Sequence, residues 1–367
     1  MAKETRKRKA DHIRISLNQN VQARKATTGF EDVHFIHRAL PEVNRQEIDL
    51  STTVFGHRFS APLIVGAITG GTEEAMKINA TIAEAVEELG LGMGVGSQRA
   101  AIEDKRLERT FAIVRKKAPK AFLIANVGGV QLVNGYGLKE VKKAIEMIEA
   151  DAIAVHLNSL QEAVQPEGQT NFKGVLERIR EITRELDKPV IAKETGAGIS
   201  AEEAARLEEG GVKGIDVSGA GGTSFAAVEY YRARRRENYS QRRLGDVFWD
   251  WGTPTAIGIV EVSQTVNVPV IASGGIRNGV DVAKAVSLGA SLASFSQPVL
   301  QEAMKGVEQT KATLSLLIEE LRNVMFLVGA ESVQNLRRTP LVVTGRSAEW
   351  LRARGFDIES YPRRGRS

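Results

Sequence analysis

A lysine at the end of an apolar run is the first residue in this chain whose placement demands a chemical account. Lys193 sits in PVIAKET, residues 189–195, and burying an ammonium is costly unless a partner compensates. Three roles fit it: an ion pair with Glu194 or another carboxylate, a Schiff-base nucleophile, or a cation held against an electron-rich cofactor whose reduced, anionic ring it would stabilise. Spacing alone leaves all three open. The second such stretch is HLNSLQEAVQPEG, residues 156–168. His156 and Asn158 lie two apart on a strand pattern and so project the same way; Gln161 and Glu162 follow in the loop. Groups of this kind grip an oligophosphate, with one carboxylate on the magnesium that accompanies it. A capped helix start with incidental polarity is the plain alternative. The third stretch is PVIASGGIRNG, residues 269–279. Its glycines allow close backbone approach and leave N–H groups free, a helix N-terminus follows, and Arg277 adds a cation. This reads as a phosphate site rather than two tight turns holding nothing. Two phosphate-binding regions at one mouth would admit two phosphorylated molecules, a cofactor and a substrate.

The elements that must position these residues begin at Pro62. Short apolar runs alternate with amphipathic helical patterns, and the runs fall at 62–69, 91–97, 121–128, 152–158, 189–195, 214–220, 269–275 and 290–296. Continuous apolar runs suit strands buried on both faces. Eight β/α units in succession predict an α/β fold, a (β/α)8 TIM barrel, with its site at the C-terminal ends of the strands. A doubly wound sheet is the competing architecture, because the first turn also carries a glycine pair, Gly70-Gly71. On the barrel reading the strand ends offer Thr69, Ser97, Asn126, His156 with Asn158, Lys193, Ser218 and the Gly275–Arg277 turn. Around this barrel, spanning 62–328, we expect an N-terminal extension over 1–61 and a helical tail over 329–367 that packs on the barrel. The connection 222–252 is too long for a plain loop. It mixes a helical pattern, aromatics and six arginines, as suits a lid or equally a subunit contact. Residues 1–15 are basic: a solvated tail, or a cationic arm that brings Arg8 and Lys9 over an anion. His34, His37 and His57 read as structural, since no paired carboxylates lie at metal spacing.

Composition narrows the field. The chain has 367 residues and a net charge of +5 from 50 basic and 45 acidic side chains, a small excess that gives no footing for general nucleic-acid binding. Zero cysteines exclude thiol nucleophiles, disulfides and Cys-ligated metals. No apolar run is long enough for a membrane span, and the charged N-terminus lacks an apolar signal core. A cytoplasmic enzyme is expected, and the dense Lys, Arg and Glu suit a hot-living source.

At these residues the chain resembles the type 2 isopentenyl-diphosphate isomerases, FMN-dependent barrel enzymes. The resemblance is carried by RKADHI (8–13), GAITGG (66–71), GVGSQRA (94–100), HLNSLQE (156–162), KETGAGIS (193–200), DVSGAGGTSFAAVE (216–229) and ASGGIRNG (272–279), in family order over nearly the whole chain. It implies that FMN contacts Ala67, Ile68, Thr69, Ser97, Asn126, Lys193, Ser218 and Thr223, with its phosphate on Gly275, Ile276, Arg277, Ser296 and Gln297. It implies that an isoprenoid diphosphate meets Arg8, Lys9, Ser97, Gln98, Arg99, His156, Asn158 and Gln161, and that Glu162 binds Mg²⁺. Reduced FMN, regenerated by NADPH, would act as the acid–base group with no net redox change, with Gln161, Lys193 and Glu229 as catalytic candidates. A homo-oligomer, tetramer or octamer, is also implied. Phe225 stands where Trp is usual in the family, Ile68 where Met is common and Ser296 where Ala is usual.

The rivals are an FMN-dependent oxidoreductase on the same barrel, a Schiff-base aldolase built on Lys193, and a basic scaffold binding nucleic acid through 231–243. Deleting residues 1–10 tests the arm: KM for the diphosphate should rise sharply in steady-state assays, and an unchanged KM rejects the arm's role.

Overall fold

Apolar runs of the kind found from Pro62 onward bury both faces when they pair in parallel and close on themselves, and here they do. The computed structural model describes residues 2–365; Met1 of the N-terminal extension, Arg366 and Ser367 of the tail, and the side chains of residues 2–7 lie outside that description. Numbered along the chain, β1 is Val33–Phe35, β2 Thr52–Val54 and β3 His57–Phe59. Then come β4 Leu63–Val65, β5 Gly92–Gly94, β6 Phe122–Gly128, β7 Ala152–Leu157, β8 Val190–Glu194, β9 Gly214–Asp216, β10 Val270–Ala272 and β11 Leu292–Phe295, followed by β12 Leu341–Val343. Strands β4 to β11 pair in sequence order and β11 returns to β4, a closed barrel of eight parallel strands. The doubly wound alternative is thereby excluded. Each of the eight predicted runs contains one of these strands.

Alternation along the strands separates two apolar layers. Ile64, Phe122, Ile124, Ala154, Ile191, Ile271 and Leu292 meet inside the barrel, while Leu63, Val65, Leu123, Val155, Val190 and Phe295 pack with the surrounding helices. The bottom of the barrel is plugged by the antiparallel hairpin β2–β3. The Phe55 and Phe122 rings stack at 5.8 Å, and Phe59 meets Phe122 edge-on at 5.5 Å. Glycines make room for this plug: a Cβ on Gly214 would lie 2.6 Å from Phe55 Cζ, and one on Gly92 2.9 Å from Phe59 Cε1. His57 belongs to the plug, its ring 5.5 Å from that of Phe122, and His34 bonds Thr344 at 3.2 Å. Both are structural, as expected.

The N-terminal extension opens with a helix, Ala2–Asn18, hereafter the arm. It docks on the connection after β9, which forms two helices, Phe225–Arg235 and Tyr239–Val247. Ile15 and Val21 pack with Ala227, Val228 and Trp249 in a small core of their own. The tail corrects one expectation. It is helical at Val333–Arg337 and Gly345–Ala353, but Leu341–Val343 between them pairs antiparallel with β1. The β-branched pair Val342-Val343 suits a strand, and its partner comes from the far end of the chain. No helix among the described residues is long and apolar enough to cross a membrane.

Phe59 is fully buried at the centre of the plug. Phe59→Ala should lower stability by about 3–5 kcal/mol, the usual cost of a large buried cavity, read from the urea or guanidinium midpoint; a loss below 1 kcal/mol would show that the plug carries no weight.

Candidate active site

With the bottom closed, the inward positions can become polar only at the top, and they do so abruptly. His156, Lys193 and Asp216 are direct neighbours in strand register across β7, β8 and β9. Above them opens a cavity of about 260 Å³ lined from both the barrel and the arm. Arg8, Lys9, Ala67, Ile68, Thr69, Ser97, Arg99, Asn126, His156, Asn158, Gln161, Glu162, Lys193, Ser218, Thr223, Gly275, Ile276, Arg277, Ser296 and Gln297 all line it. These are the predicted positions with two exceptions.

Gln98 is the first exception. The chain enters a short helix at Arg99, and that turn sends the Gln98 side chain back into the core. There its Nε2 donates to Ala144 O at 2.8 Å and its Oε1 accepts the Asn126 N–H at 2.9 Å. It supports the mouth without lining it. Glu229 is the second. It is fully buried beneath the arm, 2.9 Å from His12 Nε2, and pairs with Arg232 on the same helix. Arg232 also pairs with Glu167, just after the short helix Ser159–Val164 that carries Gln161 and Glu162 where a loop was expected. His12, which does line the cavity, stands edge-on to Phe225 at 6.0 Å.

At one end of the cavity, two glycine turns interlock. Gly274 and Gly275 have φ of 101° and 71°, in the region that favours glycine. A Cβ on Gly274 would lie 2.1 Å from Gly219 O, and one on Gly222 2.3 Å from Gly275 N. The N–H groups of Gly275 and Ile276 reach no protein acceptor among the described residues, so a cradle of free donors faces the cavity. Arg277 closes its side and is steadied by Gln22, whose Oε1 accepts from Nη2 at 2.6 Å. Donors of this kind suit the phosphate of FMN.

The other end is cationic. Lys9 Nζ donates to Ser97 O at 2.5 Å and lies 5.0 Å from the centre of the Phe111 ring. Burial, with Arg8 beside it, brings the Lys9 ammonium down to about 7. His156 Nδ1 is 2.7 Å from Asn126 Oδ1. Because Asn126 Nδ2 donates to Val95 O at 3.0 Å, its oxygen is the acceptor and His156 carries its proton on Nδ1. Burial, then the Lys193, Arg8 and Lys9 charges, push His156 down to about 3, so the imidazole is neutral near pH 7. Glu162 is buried; Asn158 Nδ2 donates to its Oε1 at 3.1 Å, and Gln165 Nε2 and Gln169 N donate to its Oε2. Asn158 Oδ1 and Gln165 Oε1 are buried without partners among the described residues. Oxygen-only donors suit a hard cation such as Mg²⁺. No group of three acidic, His or Cys side chains among the described residues is placed to hold a metal ion, so a cation on Glu162 would need further oxygen ligands, such as those of a bound oligophosphate.

Lys193 itself pairs with Asp216, Nζ to Oδ2 2.9 Å, and donates to the Glu194 carbonyl at 3.1 Å. The Glu194 carboxylate is not its partner. It turns instead under its own loop to accept N–H groups from Thr195, Gly196 and Gly198 at 2.6, 2.6 and 3.1 Å, and burial outweighs those donors to raise it to about 7. Ser218 has a φ of 37°, a strained conformation for a residue with a side chain.

Comparison with known proteins narrows what this arrangement is for. A family model described as FMN-dependent dehydrogenase matches residues 1–127 and 139–343. The isopentenyl-diphosphate delta-isomerase of Methanosarcina barkeri is 50% identical over 361 residues, covering 98% of both chains. That of Pyrococcus furiosus is 51% identical over 362 residues, covering 96% of this chain and 90% of its own. The chain belongs to the type 2 isopentenyl-diphosphate delta-isomerase family. Among solved structures, a mandelate oxidase variant with an FMN monooxide adduct superposes with a TM-score of 0.62 at 24% identity, covering 87% of this chain and 90% of its own. A lactate oxidase of Pediococcus acidilactici gives 0.62 at 19%, covering 94% and 93%. These two show the same fold.

Within this isomerase family member, several residues at or beneath the mouth were missed from sequence: Asp216, Gln165, Gln22 and the Arg232–Glu167 pair. Only Asp216 left a signal, an acidic residue inside the apolar run GIDVSGA.

The lowered Lys9 sets a pH dependence. Below pH 7 Lys9 is already charged; above it, anion binding must restore the proton. Inorganic diphosphate should therefore bind with proton uptake that rises between pH 6 and 8 and is lost in Lys9→Met, measured by calorimetry in buffers of differing ionisation enthalpy. Uptake that stays flat across that range counts against the assignment.

Proposed function

We propose that this chain interconverts isopentenyl diphosphate and dimethylallyl diphosphate on reduced FMN, with no net redox change. The supporting observation is the single cavity that joins a glycine-lined cradle of free N–H donors to a cationic, carboxylate-edged pocket. Moving a double bond along a five-carbon diphosphate needs one proton added to an alkene and another removed beside it. Alkenes are very weak bases, so the acid must be well placed and water excluded. When bound, reduced FMN supplies the acid–base group for this exchange. The residues hold everything else. Gly275, Ile276, Arg277, Ser296 and Gln297 would take the FMN phosphate, while Ala67, Ile68, Thr69, Asn126, Ser218 and Thr223 would line its ring and ribityl chain. Lys193 would stand against the ring and favour its reduced, anionic form. Arg8, Lys9, Ser97, Arg99, His156, Asn158 and Gln161 would bind the diphosphate, and Glu162 the Mg²⁺ that accompanies it.

Gln161, which lines the cavity with its Oε1 held by Asn158 Nδ2 at 3.1 Å, would orient the reacting carbons. Glu229 acts at one remove, through His12. The arm excludes water from above. NADPH as reductant, assembly as a tetramer or octamer and a cytoplasmic setting belong to the same proposal and rest on the family resemblance. The oxidoreductase alternative is less well served, because no histidine follows β10, where a hydroxy-acid oxidase would place its catalytic base.

The deciding experiment is anaerobic incubation with isopentenyl diphosphate, FMN, NADPH and Mg²⁺, with the dimethylallyl isomer as product. Protein that binds no flavin, or stays inert with reduced FMN, rejects the proposal. Glu162→Gln should cut kcat/KM roughly a hundredfold, about 2.7 kcal/mol of transition-state stabilisation, and weaken the dependence on Mg²⁺.

A further inference from the structure

One buried carboxylate at the mouth has no part in the reading above. Asp216 is 4% exposed and stands beside Lys193 in strand register. Its Oδ2 is 2.9 Å from Lys193 Nζ, and its Oδ1 accepts from Ser273 Oγ. Lys193, Asp216 and Ser294 share the wall of a second cavity of about 20 Å³ just below the mouth, inside the barrel. Ser294 Oγ is buried there without a partner among the described residues. The space exists because Gly66, Gly94 and Ala154 stand where larger side chains would fill the barrel. It is large enough for one water, and the hydroxyl, ammonium and carboxylate supply the polar partners a buried water needs.

Such a pair does little for stability, since desolvating two ions offsets most of their attraction. Its consequence is electrostatic. A lone ammonium in this dry ring of strand ends would present a full unit charge to whatever lies above it. With a carboxylate 2.9 Å away, the field above becomes largely that of a dipole. A site that must both donate and recover a proton needs an intermediate proton affinity, which a bare cation would depress.

We propose that Asp216 is a positioning residue that aims Lys193 at the cofactor and attenuates its positive potential there, with one water on Ser294 completing the cluster. This rests on the reading of the mouth as an FMN site. The midpoint potential of bound FMN, followed by absorbance under anaerobic electrochemical titration at pH 6, reads the attenuation without reference to turnover. Asp216→Asn keeps the shape and removes the charge, so the potential should rise by a tenfold shift in the equilibrium or more, about 30 mV for a two-electron couple. Ser273→Ala keeps the charge and removes its donor, which concentrates the carboxylate's pull on Lys193 and should lower the potential. An unchanged or lowered potential in Asp216→Asn, with FMN bound, overturns the proposal. Should that variant not fold, an unchanged or raised potential in Ser273→Ala does so. An FMN titration of the unaltered chain comes first: no binding there overturns the flavin reading itself, not the role of Asp216.

Discussion

A ring of eight parallel strands, closed below by an aromatic plug, leaves its inward-pointing side chains one outlet. Below the level of Lys193 those positions are apolar or very small apart from Ser294, because the interior there has room for about one water to solvate a polar group. At that level the register changes to His156, Lys193 and Asp216 on adjacent strands, and each polar group is either paired or turned toward the mouth. The glycines at Gly92 and Gly214 serve the same constraint from beneath, by admitting the Phe55 and Phe59 rings. The site is where it is because the rest of the barrel's interior has no use for charge.

The second feature is an excess of cations in a small dry space. Arg8, Lys9, Arg99, Lys193 and Arg277 line one cavity, and among the described residues only Lys193 and Arg99 of these have a carboxylate partner in direct ion-pair contact. Burial first, and then this surplus of charge, brings Lys9 down to about 7 and His156 to about 3. Donors fixed in advance around a future anion need little reorganisation when it arrives. An oligophosphate would relieve the repulsion, and Glu162 with the neighbouring amide oxygens of Asn158 and Gln165 forms an oxygen-lined edge of the cavity.

The two ends of the cavity are mechanically joined by the chain segment that follows the arm. Gln22 bonds Arg277, Ala23 and Val21 pair with Gly222 and Ser224, and Asp250 gathers the N–H groups of Arg24, Lys25 and Ala26. Earlier in the chain, His12 rests on Glu229, whose partner Arg232 reaches Glu167 just beyond the helix that carries Glu162. The basic run at the N-terminus is thus tied to the barrel at both the glycine cradle and the segment that follows the helix of Glu162.

The barrel and the three stretches at its mouth were legible in the sequence because each is encoded locally. Strand periodicity, glycine turns with positive φ, and a lysine inside an apolar run are properties of a few consecutive residues. Sequence also grouped His156 with Asn158, although the strand ends at Leu157 and Asn158 stands at the N-cap of the helix that follows, and pointed to Arg277 beside its glycines. It could not assign Lys193 its partner: Glu194 is adjacent in the chain, but strand pleating sends adjacent side chains to opposite faces, and the register brings Asp216 from the next strand. For the same reason Gln98 and Glu229 belonged to the mouth by motif yet point elsewhere, and the tail strand waited for β1 from the opposite terminus. Which side chains pair across strands and helices depends on register and docking between distant segments, and only the closed tertiary structure sets those.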